Sequence, residues 1–197
     1  MDYLDQELTF YNDRIEVKAS GVQVMMSWER PLMRRLAQIA CMRRGDVLEI
    51  GFGMGISADE VQALRPRSHT IIEAHPQIIE RALAWARDKP NTQIIGGLWQ
   101  DVVADLDTYD GIAFDIFAGK NQRLDFFGQL DALLRAHGVA SLWLGDERDL
   151  PSELREVLES QGFTYSLSKV AAIPDKRCTY SQSNEFYLPT IYRGAHI

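Results

Sequence analysis

The sequence predicts an α/β protein: a doubly wound, mostly parallel sheet with helices on both faces and an antiparallel hairpin at its C-terminal edge. Three observations carry this expectation. Apolar, strand-like runs alternate with amphipathic helical stretches through most of the chain. One such run, VLEI, breaks off into the glycines of GFGMG just ahead of a helical stretch. The last two extended segments follow each other with no helix between them.

Taken in order, residues 1–24 are mixed and polar, with weak helical or hairpin character, and stand apart as an N-terminal arm. Residues 25–197 read as one domain, since no repeat, low-complexity tract or Pro/Ser-rich linker divides them. Leu32, Leu36, Ile39 and Ala40 recur at helical spacing in 28–42, and Pro31 suits a first turn. DVLEIGFG is a buried strand ending in glycines, ISADEVQAL a helix and HTIIEAH a strand. PQIIERALAWARD is an amphipathic helix opening at Pro76, followed by strands at TQIIGGLW and YDGIAFDIF. RLDFFGQLDALLRAHG predicts a helix closed by Gly138, and VASLWLG a strand. SELREVLESQGF predicts a helix capped by Ser152 and ended by Gly162. Strands near 164–173 and 184–192 form the hairpin.

Composition narrows the function classes. The 197 residues suffice for one full core. With 46% hydrophobic and 25% charged residues, neither disorder nor a fibrous class is indicated. No apolar run approaches the roughly 18 residues of a membrane span. The start, MDYLDQELTF, lacks the basic and apolar regions of a signal peptide, so a cytoplasmic location is the default. Two separated cysteines, Cys41 and Cys178, and four scattered histidines give no zinc spacing, so no metal is expected. A net charge of −7 argues against a nucleic-acid partner. It suits a cationic small substrate, and it suits plain solubility equally well.

The glycine loop is the first candidate site. An apolar strand, glycines and then a helix let a ligand meet backbone N–H groups and a helix N-terminus. Glu49 precedes Gly51, and Glu73 ends the next strand, where a ribose hydroxyl is reached in a doubly wound sheet. The glycines fall at Gly51, Gly53 and Gly55, so the GxGxxG of dinucleotide enzymes is not met.

The spacing E-x-G-x-G-x-G resembles the first motif of class I S-adenosylmethionine-dependent methyltransferases. Further segments narrow the likeness: VMMSWERPLM, VLEIGFGMGI, HTIIEAH, GGLWQDV, YDGIAFDIF and IPDKRCTYSQSNEFYLPTI. In order and spacing they resemble guanidinoacetate methyltransferase and, in part, the fungal type of protein arginine methyltransferase. The likeness runs over about residues 24 to 192 and implies a Rossmann-like fold with residues 1–24 as a lid over the active site. It implies S-adenosylmethionine as cofactor and S-adenosylhomocysteine as product.

The resemblance also implies roles. Glu49, Gly51, Phe52, Gly53, Met54, Gly55, Ile56 and Ser57 belong to the cofactor loop, with Phe52 to Ser57 at the methionine end. Glu73, Ala74 and His75 lie at the ribose. Gly97, Leu98 and Trp99 flank the adenine, with Gln100 in place of the family's usual acid. Met25, Trp28, Glu29 and Met33 face the substrate, as does Asp115, which also neighbours the cofactor. Gly145 and Asp146 match a stretch whose backbone carbonyls accept from the guanidinium. The family's long insertion is shortened here to GDERDLP, and the cofactor-covering aromatic of the arm falls to Tyr3, Phe10 or Tyr11.

The chemistry agrees with these residue types. A guanidinium is planar, charged and a poor nucleophile. Carboxylates hold its N–H forks bidentately. Glu29 and Asp115 are therefore the catalytic candidates, Asp115 as proton acceptor and Glu29 as the cation's holder. Met25, Trp28 and Met33 form a dry wall against which charge pairing strengthens. Asp146, Glu147 and Asp149 add an acidic loop, which points to an acceptor with a second positive charge. The expected activity is N-methylation of a small guanidino compound, with the enzyme a monomer or homodimer. Methylation of arginine in a protein and a catalytically silent cofactor-binding module are the alternatives.

Overall fold

The computed structural model describes residues 3–117 and 120–194. The chain opens with three short strands, β1 (Leu8–Phe10), β2 (Arg14–Val17) and β3 (Gln23–Met26). A 3-10 turn, Ser27–Glu29, leads into α1 (Arg30–Ala40). Then follow β4 (Asp46–Ile50), α2 (Ile56–Ala63), β5 (Ser68–Glu73), α3 (Pro76–Ala86), β6 (Thr92–Gly96) and α4 (Trp99–Val102). The chain continues through β7 (Tyr109–Phe114), α5 (Lys120–Phe127), α6 (Leu130–Leu133), β8 (Leu134–Leu142) and α7 (Ser152–Ser160). It closes with β9 (Phe163–Ala171) and β10 (Glu185–Arg193).

Seven strands make the main sheet in the order β6-β5-β4-β7-β8-β10-β9. The first five run parallel, and β10 is antiparallel to both neighbours. The strand order reverses between β4 and β7, which opens a crevice at their C-terminal ends. β1, β2 and β3 form a separate antiparallel sheet.

Burial explains the patterning. β4 is a continuous apolar run because both its faces are covered: Val47 packs with α1, and Leu48 with the opposite layer. Leu32, Met33, Leu36 and Ile39 line one side of α1 and are fully buried. Cutting Leu36 to Ala there is expected to cost about 2–5 kcal/mol. Behind the other face Phe114, Phe126 and Phe127 stack edge and tilt against one another. The small sheet packs Leu8, Ile15 and Val17 with Phe52 of the glycine loop and Ile78 of α3.

Three local expectations change. Residues 123–138 are not one helix: α5 ends at Phe127, α6 is a single turn, and β8 already begins at Leu134. Pairing of Leu134 with Tyr109 on β7 overrides helical periodicity, and Arg135 of this strand forms ion pairs with Asp46 and Asp110. Ser152 is the first helical residue rather than the cap; Pro151 precedes it and the Ser152 hydroxyl donates to Glu153. The stretch TQIIGGLW stops being strand at Gly96, and its Trp99 opens α4. No helix among the described residues is long and apolar enough to cross a membrane.

Candidate active site

A cavity of about 370 Å³ opens at the C-terminal ends of β4, β5, β6 and β7. Its floor begins with the loop after β4. Gly51 has φ +93°, and a Cβ there would stand 2.0 Å from the Asp115 carbonyl oxygen. That close approach of two strand ends is open to glycine alone. Gly53, at φ +53°, faces the Met25 sulfur in the same way, and Met25 Sδ accepts the Met54 N–H at 3.3 Å.

Glu73 closes one side. Its Oε2 accepts from the N–H of Phe52 at 2.8 Å and of Gly53 at 3.4 Å. Its Oε1 accepts from the N–H of Ala74 and of His75, each at 2.8 Å. The carboxylate is thus fastened to the glycine loop and to the start of α3. Past it, Gly97, Leu98 and Trp99 form the next wall. Trp99 is also a core side chain, edge-on to Phe126, and its indole N–H donates to Gln122 at 3.3 Å.

At the other end Glu29 and Asp115 line the same cavity. Glu29 is 2% exposed and caps the turn before α1, where its Oε1 accepts the Met26 N–H at 2.7 Å. Tyr180, from the loop between β9 and β10, donates its hydroxyl to that same oxygen at 2.6 Å. Asp115 follows β7; its backbone N–H donates to Ile50, and its carboxylate receives no hydrogen bond among the described residues. Burial, with the negative Asp115 beside it, pushes Glu29 up to about 8 against the bonds from Tyr180 and Met26. Burial and the charge of Glu49 push Asp115 up to about 7, opposed by Arg123. Two carboxylates that resist ionisation therefore line one cavity, an arrangement that marks a candidate functional site.

The cavity brings together most of the expected residues: Met25, Glu29, Gly51, Phe52, Gly53, Ser57, Glu73, Ala74, Gly97, Leu98, Trp99 and Asp115. Others lie behind or beside it. Glu49 is buried against His69 at 2.8 Å and acts on the site only through its charge. Met54, Gly55 and Ile56 carry the loop into α2 without lining the cavity. His75 caps α3, accepting from the Gln77 N–H while its Nε2 meets the Gln6 carbonyl oxygen. Met33 is fully enclosed in the α1 core and does not reach the cavity. Trp28 stacks between Tyr180 and Phe186, outside the lining. Gly145 and Asp146 also stand outside it, and Asp146 accepts the Ser181 hydroxyl at 2.5 Å. Asp149 is engaged by Tyr165 and Arg155. Of the arm's aromatics Tyr3 lines the cavity, its ring against His75 and Phe117. Phe10 and Tyr11 instead lie under Arg81 and Arg14.

Tyr180 and Trp143 were not among the expected site residues, although Tyr180 lies within the family-like segment IPDKRCTYSQSNEFYLPTI. Trp143 follows β8 and lines the cavity, and the loop between β9 and β10 carries Tyr180 to Glu29.

A nucleoside bearing an amino-acid tail fits what is present. The Ser57 hydroxyl, buried on the first turn of α2 at the cavity wall, has no partner among the described residues. It stands ready for a polar tail at that end, while Glu73 offers acceptors for hydroxyls and Leu98 and Trp99 an apolar slot.

Comparison with known proteins agrees. The family described as guanidinoacetate N-methyltransferase matches residues 3–145. Protein arginine N-methyltransferase 2 of Saccharomyces cerevisiae is 32% identical, covering 96% of this chain and 52% of that protein. Its namesake from Yarrowia lipolytica is 34% identical over 74% of this chain and 33% of its own length. The chain thus spans about half or less of the curated relatives it matches. Among solved structures, precorrin-6y C5,15-methyltransferase from Geobacter metallireducens aligns with TM-score 0.62 at 17% identity, over 87% of this chain and 90% of that one. Spermidine synthase from Thermotoga maritima aligns with TM-score 0.66 at 16% identity, over 95% and 72%. These structural likenesses speak for the fold.

Proposed function

Because this chain belongs to the guanidinoacetate N-methyltransferase family, an S-adenosylmethionine-dependent family of class I fold, we propose that it methylates a guanidino nitrogen of a small molecule. The observation that carries this reading is the pairing of Glu29 and Asp115, both pushed upward, on the cavity that also holds the glycine loop. A guanidinium entering between them offsets their repulsion and restores both to the ionised form.

Glu73 would hold the ribose hydroxyls, the loop from Phe52 to Ser57 the amino-acid end, and Leu98 with Trp99 the adenine. The cofactor supplies an electrophilic methyl group. The arm of residues 1–24, of which the first two lie outside the described residues, acts over this end, a reading supported by Tyr3 and Leu4 in the cavity wall. Glu29 binds the guanidinium and fixes its orientation. Asp115, short of donors and raised in basicity, takes the proton that the guanidinium loses as its nitrogen lone pair localises. Much of the rate then comes from holding that nitrogen in attacking position inside a dry cavity.

The names of the curated relatives favour a second reading, arginine within a protein as acceptor. One experiment separates the two. The protein is incubated with S-adenosylmethionine and a panel of free guanidino compounds beside arginine-containing peptides, following S-adenosylhomocysteine release and product mass. Methylation of a free guanidine, with weak or absent peptide turnover, is the expected result. Turnover of peptides alone would replace the small-molecule reading with the protein one.

A further inference from the structure

The loop between β9 and β10, residues 172–184, plays no part in the cofactor half, yet it delivers one hydroxyl to the heart of the acceptor half. We propose that Tyr180 is the positioning residue of the acceptor site: its hydroxyl holds Glu29 so that one carboxylate oxygen is left for the incoming cation. This rests on the reading of Glu29 as the acceptor's carboxylate.

The geometry is specific. Tyr180 Oη donates to Glu29 Oε1 at 2.6 Å, and the Met26 N–H donates to the same atom at 2.7 Å. Oε2 receives no donor among the described residues. A carboxylate pinned through one oxygen keeps the lone pairs of the other for a bidentate or forked partner. Had the two donors been divided between the oxygens, neither would be wholly available.

Tyr180 is itself held firmly. Its ring lies between Trp28, with centroids 5.9 Å apart, and Trp143, at 6.1 Å and nearly perpendicular. The residues on either side are anchored to different parts of the chain. Thr179 donates its N–H and hydroxyl to Gln23 of β3, whose amide donates in turn to the Arg177 carbonyl oxygen. Ser181 donates to Asp146. The loop is therefore tied to β3 before Tyr180 and to the segment after β8 beyond it.

The ionisable groups facing Glu29 are Asp115 from the end of β7 and Tyr180 from the loop, with Cys178 behind Tyr180. Asp115 opposes the ionised form of Glu29; the Tyr180 hydroxyl and the Met26 N–H favour it. Removing the hydroxyl moves the Glu29 titration to higher pH.

Tyr180→Phe tests this, because it keeps the ring between the two indoles and deletes only the donor. The first readout needs no acceptor: isotope-edited infrared titration of side-chain carboxyls in the S-adenosylhomocysteine-bound protein, with Glu29→Gln assigning the band. The Glu29 band should titrate at higher pH in Tyr180→Phe than in wild type. The second readout is steady-state kinetics with the best guanidino acceptor. Acceptor KM should rise about ten- to a hundredfold, as for loss of a hydrogen bond to a charged group, with cofactor affinity unchanged. The acid limb of kcat/KM should move upward, and the deficit should shrink at high pH. An unmoved Glu29 band overturns the proposal. A moved band with unchanged acceptor KM also overturns it, since the orientation of Glu29 would then not matter to the acceptor. If wild type turns over no guanidino compound at all, the functional reading fails instead, and the infrared result alone decides whether Tyr180 controls Glu29.

Discussion

The two ends of the cavity treat their carboxylates in opposite ways. Glu73, at the cofactor end, is met by backbone N–H groups of Phe52, Gly53, Ala74 and His75. Among the described residues, Glu29 at the end proposed for the acceptor has two donors, both on one oxygen, and the Asp115 carboxylate has none. Glu73 is consequently part of the scaffold as well as of the site. Glu29 is buried and Asp115 half-buried in the cavity wall, and desolvation with neighbouring carboxylate charge displaces their titration upward. The contrast teaches that donor supply, rather than residue type, separates a carboxylate that shapes a pocket from one that awaits a charge.

The largest effect is expected where donors are fewest. Asp115→Asn preserves shape but removes the proton acceptor, and guanidine methylation should fall about 10²–10⁴-fold. Affinity for S-adenosylhomocysteine, followed by calorimetry, should hardly change. Turnover within tenfold of wild type would mean that the acceptor end needs no base.

At the donor-rich end, Glu73→Ala should weaken cofactor binding by about 1.5–3 kcal/mol for each charge-assisted bond lost. It should also loosen the glycine loop, since the Phe52 and Gly53 N–H groups lose their acceptor. Thermal unfolding without ligand reads the second effect and titration with S-adenosylhomocysteine the first. Unchanged values in both would erase the distinction between the two ends.

The smallest effect is on the pH dependence of stability. Glu29 and Asp115 titrate in the fold near 8 and near 7, above the roughly 4 of an unfolded chain. Between those limits the folded protein binds more protons than the unfolded one, so stability declines as pH rises from about 4 through about 8. Glu29→Gln should flatten that decline in ligand-free melting curves, and a bound guanidinium compound should do the same. A slope identical in wild type and variant would show that the pair carries no such strain.

The part of the cavity around the glycine loop was largely legible in the sequence because it is local. A strand, its glycines and the acid ending the next strand sit close in the chain, and adjacency of β4 and β5 follows from the alternation of elements. Glu29 and Asp115 were named for their chemistry and for a family likeness, and both reach the cavity. Met33 was not separable from them by sequence: a helical methionine beside Glu29 points into the core or the cavity depending on a rotation about α1 that spacing leaves open. Tyr180 was not picked out within its family-like segment for another reason. It belongs to a loop without periodicity, and its partner is 151 residues away. The stretch 134–138 misled because its residues are tolerable in a helix, and only the neighbouring strand β7 decides otherwise.

That 151-residue span bears on how the protein comes into being. A ribosome that has delivered the chain through Phe117 has already produced Gly51, Glu73, Trp99, Glu29 and Asp115, but not Tyr180. The parallel strands β4, β5 and β6 can gather in the order of their synthesis, and β7 then pairs back onto β4. The bond to Glu29 must wait for the final hairpin and closes a loop of most of the chain's length. Contacts that distant are slow to form and late to be rewarded. Assembly is therefore asymmetric in time: the glycine-loop end of the pocket can form before Tyr180 has been made, and the bond that fixes Glu29 follows.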